Sequence, residues 1–125
     1  MRKPKTIELG DCYEVHAKYL LRNPNSGIVL VHGVVTGSGG DVFGIEYCHC
    51  WLESEDGEFV VDLSNNRTIE LPAVVYYAIG HIDKSKILRY SATDAEALMV
   101  EHGHYGPWEL ETPIGETKYR IANGL

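Results

Sequence analysis

The segment 46–64, EYCHCWLESEDGEFVVDLS, constrains the fold of this chain more than any other. Its centre, Asp56-Gly57, is a tight-turn dipeptide between two β-prone runs, so the segment predicts a hairpin. With Asp56 and Gly57 as the turn residues, Glu55 faces Glu58, Trp51 faces Asp62 and His49 faces Ser64. Side chains alternate between faces along a strand. One face then carries Cys48, Cys50, Leu52, Phe59, Val61 and Leu63, all apolar or thiol, and requires a core. The other carries His49, Trp51, Asp62 and Ser64. His49 and Asp62 are diagonal neighbours on that second face, within reach of a carboxylate-to-imidazole hydrogen bond. A carboxylate so placed fixes the imidazole tautomer and favours its charged form, as the orienter of a general base does.

Such a pair acts only on a nucleophile, and Cys12 fits that role better than Cys48 or Cys50. In Gly10-Asp11-Cys12-Tyr13-Glu14, Asp11 is placed to cap a helix and Glu14 to complete a capping box, with Cys12 at the first helical position. A thiol there feels the positive end of the helix dipole, which favours the thiolate. Residues 12, 15, 16, 19 and 20 form one stripe at helical spacing, carrying Cys12, Val15, His16, Tyr19 and Leu20 until Asn23-Pro24-Asn25 ends the run. His16 is the helical neighbour of Cys12 and a candidate second base, although a core histidine is the plainer reading.

The remaining elements are shorter. Residues 27–36 read as a buried strand and 37–40, Gly-Ser-Gly-Gly, as a flexible loop. Residues 64–67 read as a turn, and Leu71-Pro72 opens an apolar helix ending at Gly80. Tyr76 and Tyr77, within it, read as core and boundary. A strand is predicted over 86–90, and a second capping box, Thr93 to Glu96, starts a helix that Gly103 ends. From His104 the chain reads as an irregular packed tail with one short strand at 118–121; His102, His104 and Trp108 fall in or beside it as packing or pocket-wall residues. The order predicts one α+β domain over 1–125, a helix packed on a mainly antiparallel sheet.

With 11 Lys+Arg against 18 Asp+Glu, the net charge of −7 repels phosphate backbones and anionic lipid, so neither nucleic acid nor membrane is an expected partner. The basic cluster Arg2, Lys3 and Lys5 is followed by no apolar h-region, and the apolar run 28–35 is too short to span a bilayer. A soluble, cytoplasmic protein is expected. Three cysteines in that setting point to free thiols. Cys48-His49-Cys50 does not make a zinc site, because alternation sends both thiols away from the imidazole; no metal and no cofactor are expected.

The order Cys, His, Asp, with the cysteine opening a helix and the other two on adjacent strands, resembles the papain-like cysteine enzymes. It is closer to their transglutaminase-like branch, where a helical cysteine meets HxW on one strand and an acidic residue on the next. The matching residues are Cys12 in GDCYE, His49 in CHCWLE and Asp62 in VVDLS. The chain is also similar to small phage and bacterial proteins of no known activity that combine G-x-C-Y, H-x-W-x-E, D-x-S-N and GHYGPWE-like motifs, which would place a phage-encoded copy in the host cytoplasm. The first resemblance implies a papain-like fold and a Cys12-His49-Asp62 triad acting on an amide or thioester of a peptide or small molecule. The oxyanion-hole glutamine of papain-type peptidases has no counterpart, since the chain contains no Gln. The Cys12 backbone N–H, with a side chain such as Tyr13 or Trp51, is the substitute expected; Ser64 and His16 complete the pocket candidates. Two other readings stand beside this one: a non-catalytic binding or inhibitory module on the same scaffold, and a structural factor for which no residue specifically speaks.

Overall fold

In the computed structural model, which describes residues 11–124, the DCYEVHAKYLLR run forms helix α1 (Asp11–Arg22). Glu14 and Lys18 pair across one turn at 2.8 Å, and the helix stops where Pro24 cannot continue it. There the backbone and side-chain N–H groups of Asn23 both donate to the Tyr19 carbonyl, at 3.1 and 2.9 Å. Helix α1 is already formed at Asp11, the first described residue, and includes Cys12. Neither the Asp11 side chain, and so the expected capping box, nor the basic cluster Arg2, Lys3 and Lys5 lies within the described residues. The inward stripe differs from the expected one as well: Cys12, Tyr13, His16, Ala17 and Leu20 are buried, whereas Val15 and Tyr19 sit at its margin. The helix is covered from two sides, by the sheet and by a later helix, which turns its buried face by about one residue.

Five strands form one antiparallel sheet in the order β4-β3-β2-β1-β5. They are β1 (Val29–Thr36), β2 (Glu46–Glu53), β3 (Phe59–Asp62), β4 (Ile69–Pro72) and β5 (Leu88–Tyr90). The hairpin is its centre, and the register is the one the Asp-Gly turn predicts: Leu52 pairs with Val61 and Glu53 with Val60. Gly57 takes φ 75°, the left-handed conformation that favours glycine, and Asp56 Oδ1 accepts from the Glu58 N–H at 3.0 Å. Strand β4 has no counterpart in the sequence reading. Its proline is tolerated because the strand lies at the sheet edge.

Three more helices follow: α2 (Ala73–Gly80), α3 (Ala92–His102) and α4 (Ile114–Ala122). Helix α2 opens after Pro72 as expected, but the left-handed residue at its end is His81 (φ 50°) rather than Gly80. Helix α3 is capped by Ser91, whose hydroxyl accepts from the Asp94 N–H at 3.1 Å, not by Thr93; Gly103 ends it. Helix α4 replaces the expected strand at 118–121. Glu116 and Arg120 pair across one of its turns at 2.9 Å, and Glu116 Oε1 accepts the Cys48 N–H at 2.6 Å, which anchors the helix to β2. Residues 37–45 fold back on themselves, with the Gly37 N–H donating to Ile45 and the Gly44 N–H donating to Gly37, both at 2.9 Å.

Both faces of the sheet are covered. Leu30, Cys48, Cys50, Leu52 and Tyr90 pack with Cys12, Tyr13 and Leu20 of α1 and Ala95 of α3. On the opposite face Val31, Val35, Val42, Tyr47, Trp51 and Val60 form a second core, against which Tyr76 and Tyr77 of α2 rest. The face expected to carry only His49, Trp51, Asp62 and Ser64 is therefore apolar over most of its area, with Trp51 fully buried. Phe59, expected in the core, is 58% exposed, because it sits at the hairpin tip. Among the described residues no helix is long and apolar enough to cross a membrane.

Candidate active site

Strand β3 leaves the sheet after Asp62, which by the hairpin register lies opposite Trp51. Beyond that point β2 continues to His49 paired with β1 on one side and with no strand on the β3 side. The 3-10 turn Ser64–Asn66 and α1 pack together there, so the helix start meets the edge of the hairpin. Cys12, His49 and Asp62 converge at this place. His49 Nε2 lies 3.0 Å from Asp62 Oδ2, the diagonal contact the register implies. The Cys12 side chain lies near enough to the same imidazole for its charge to favour the protonated ring. With Nε2 engaged by Asp62, Nδ1 is the nitrogen left for the thiol.

The surroundings fix the charge states of His49 and Asp62. Burial works against a charge on His49, yet Cys12 and Asp62 outweigh it and push the imidazole up to about 10. Burial also opposes charge on Asp62. Hydrogen bonds from His49, Ser64 and Tyr76 nevertheless hold its carboxyl well below the usual carboxylate range. Its Oδ1 accepts from the Ser64 N–H at 2.9 Å and the Ser64 hydroxyl at 2.6 Å, and Oδ2 accepts from the Tyr76 hydroxyl at 2.6 Å. The carboxylate is thus held in one orientation, aimed at His49. Tyr47 presses edge-on to the imidazole at 5.8 Å between centroids, and Trp51 stacks beneath it at 6.1 Å.

The pocket candidates separate by what their polar atoms touch. Ser64 orients Asp62. Trp51 Nε1 donates to Glu53 at 2.9 Å, so the indole supports the ring above it and offers no donor to a substrate. Glu53, 1% exposed, also receives Tyr77 and Arg89, and this half-buried ion pair holds the carboxylate that Trp51 donates to. The Tyr13 hydroxyl is buried without a hydrogen-bond partner among the described residues, and its ring meets His32 edge-on in the α1-side core. Its side chain does not face His49, whereas its backbone N–H, like that of Cys12, falls in the first helical turn where amides have no intrahelical partner. His16 is fully buried; one ring nitrogen contacts the Cys12 carbonyl and the other accepts the Leu63 N–H, both at 2.8 Å. That is the neutral tautomer with its N–H on Nδ1, a tie between α1 and the end of β3 and not a free base.

Tyr76 is the site residue that the sequence reading passed over. A phenol in so apolar a helix as AVVYYAIG needs a partner for its hydroxyl, and that was the available signal. Cys48 and Cys50 face the α1-side core, where burial pushes the Cys48 thiol up to about 12 and Cys50 in the same direction. No group of three or more His, Cys, Asp or Glu among the described residues is placed to hold a metal ion.

A cleft of about 370 Å³ opens over His49 and Asp62. Val35, Val42, Ile69, Leu71 and Ile79 give it apolar walls, Ser38 and Gly39 a polar lip, and Asn65 and Arg67 its far side. Cys12, 4% exposed, is not among the described residues lining it. Comparison with family models, with curated proteins and with solved structures finds no match to this chain.

Proposed function

We propose that this chain is a cysteine-dependent hydrolase or acyl-transfer enzyme of papain-like type, acting on an amide or thioester. The convergence of Cys12, His49 and Asp62, with His49 held by a carboxylate that has three further donors, is the observation that carries this reading. Cys12 and His49 share one proton, which rests on the His49 nitrogen not engaged by Asp62, and the sulfur attacks the carbonyl carbon. As the tetrahedral intermediate collapses, the bond to the leaving amine or thiol breaks and that group takes the proton from His49. Water or an acceptor amine then attacks the thioester, giving a proton to the imidazole, and Cys12 leaves as the thiol. The amides of the first turn of α1 are placed to receive the developing oxyanion. Asp62 keeps the imidazole oriented and favours its charged form, as in triads generally.

A second reading, a binding module on the same scaffold, has one observation in its favour: the burial of Cys12 away from the cleft lining. Thiol reactivity and turnover separate the two. Iodoacetamide, followed by peptide mass, should label Cys12 faster than Cys48 or Cys50, and His49→Ala should slow it. On a panel of fluorogenic amides, esters and thioesters, activity should vanish in Cys12→Ala. It should fall roughly a thousandfold in Asp62→Asn, whose loss of stability should stay near 1–3 kcal/mol. Equal, slow labelling of all three thiols together with turnover indifferent to Cys12→Ala would make the binding module the better account.

A further inference from the structure

We infer that the cleft takes an apolar acyl group bearing an anionic terminus, a carboxylate or a phosphate, with Arg67 as the residue that reads the anion. The inference rests on the hydrolase reading for the words "acyl group", and on the cleft itself for the rest.

Three observations carry it. Apart from His49 and Asp62, which neutralise one another, Arg67 is the only Asp, Glu, His, Lys or Arg among the described residues lining the cleft. Its exposed guanidinium has no hydrogen-bond or ion-pair partner among the described residues, whereas the Arg89 and Arg120 guanidinium groups are spent on Glu53 and Glu116. Arg67 lines the same cleft as His49 and as Tyr47, the ring that abuts His49.

The backbone explains how it comes to be there. Immediately after Ser64 has bound Asp62, Asn65 and Asn66 both adopt the left-handed region, at φ 57° and 58°. Two consecutive non-glycine residues in that region reverse the chain at an energetic cost usually seen where position matters. The Arg67 N–H closes the turn on the Ser64 carbonyl at 3.2 Å, and Arg67 lines the cleft together with Val35, Val42 and Ile79. The turn that orients the triad carboxylate is therefore the turn that presents the cation. In a chain of net charge −7, an arginine over an apolar cleft, unpaired among the described residues, attracts an anion beside His49.

The test has two arms. In the kinetic arm, fluorogenic thioesters share one aliphatic acyl chain and differ at its end: methyl, carboxylate, phosphonate or trimethylammonium. Wild type should prefer an anionic end over the cationic one by about tenfold or more in kcat/KM, Arg67→Ala should erase the preference and Arg67→Glu should invert it. Whether carboxylate or phosphonate leads names the anion. In the binding arm, which needs no turnover, hexanoate, hexanol and hexylammonium are titrated by NMR at the His49 ring; hexanoate should saturate tightest, and Arg67→Glu should hand that rank to hexylammonium. Turnover that depends on Cys12 with no charge preference overturns the anion subsite and leaves the hydrolase reading standing. Charge-selective binding that Arg67→Glu inverts, without any turnover, supports the subsite and overturns the hydrolase reading. Equal binding of the three probes by wild type and Arg67→Glu overturns the subsite whatever the kinetics.

Discussion

Asp62 shows how much a single residue can be asked to do. Its two oxygens take four hydrogen bonds, from His49, Tyr76 and both donors of Ser64, and each donor lowers the free energy of the charged form against the cost of burial. Tyr76 is the informative member, because its hydroxyl donates to Asp62 and so acts through that carboxylate. Tyr76→Phe keeps the ring and removes one 2.6 Å donor. We expect a stability loss of about 1 kcal/mol and, on any panel substrate turned over, a kcat lowered roughly tenfold with KM little changed, since only an interaction strengthened in the transition state is weakened. Thermal midpoints and Michaelis–Menten curves on the two proteins check both. A large stability loss with unaltered kcat would reduce Tyr76 to a packing residue.

At the scale of elements, the site depends on how α1 is seated on the end of the hairpin. His16 makes that joint: it reaches from the Cys12 carbonyl to the Leu63 N–H, one residue beyond Asp62. His16→Phe preserves most of the volume and leaves a buried carbonyl and a buried N–H without their partner, so a stability loss of about 2–4 kcal/mol is expected by denaturant titration. If the joint also aims the thiol, Cys12 alkylation in the folded variant should slow several-fold while Cys48 and Cys50 are unaffected. Unchanged labelling would confine His16 to stability. Helix α4 makes the same point about elements: a segment without strong helical signals becomes a helix because Glu116 finds the Cys48 N–H, 68 residues away in sequence.

Over the whole molecule, buried histidines of opposite kinds shape the response to pH. His32 is fully buried, caged by Tyr13, Tyr90 and Trp108 at 4.9–5.0 Å, with neither nitrogen hydrogen-bonded among the described residues, and burial lowers it to about 3. Unfolded, it titrates near 6.5. Below that value the unfolded chain binds a proton the folded one refuses, so stability falls from about pH 6.5 down to about 3, by an amount on the order of a few kcal/mol. Asp62, held below the usual carboxylate range, adds to the loss in acid. His49 has the opposite sign: raised to about 10, it contributes stability that is complete below 6.5 and lost as pH rises through 10. Thermal midpoints from pH 3 to 10 should therefore peak near neutrality. His32→Phe should flatten the acid limb and His49→Ala the alkaline one; a limb that either variant leaves intact has another cause.

The sequence by itself determined what is local. The Asp-Gly turn and a side-chain period of two fix the hairpin register, and with it the His49–Asp62 diagonal; the break at Asn23-Pro24 and the Gly103 stop bound two helices, because turn chemistry and backbone sterics act within a few residues. Tertiary structure alone decided the rest. Whether the hairpin's second face meets solvent or a core depends on α2, whose apolar residues carry no sign of where they will rest. Strand β4 forms because β3 lends it an edge, and the Ser91 cap is chosen over Thr93 by where the α3 axis must start. Tyr76 on Asp62 and His16 between α1 and Leu63 join residues 14 and 47 positions apart, and Arg67 is brought over the cleft. Such pairings depend on how packed elements align in space, and no period or propensity within either partner's own segment encodes that alignment.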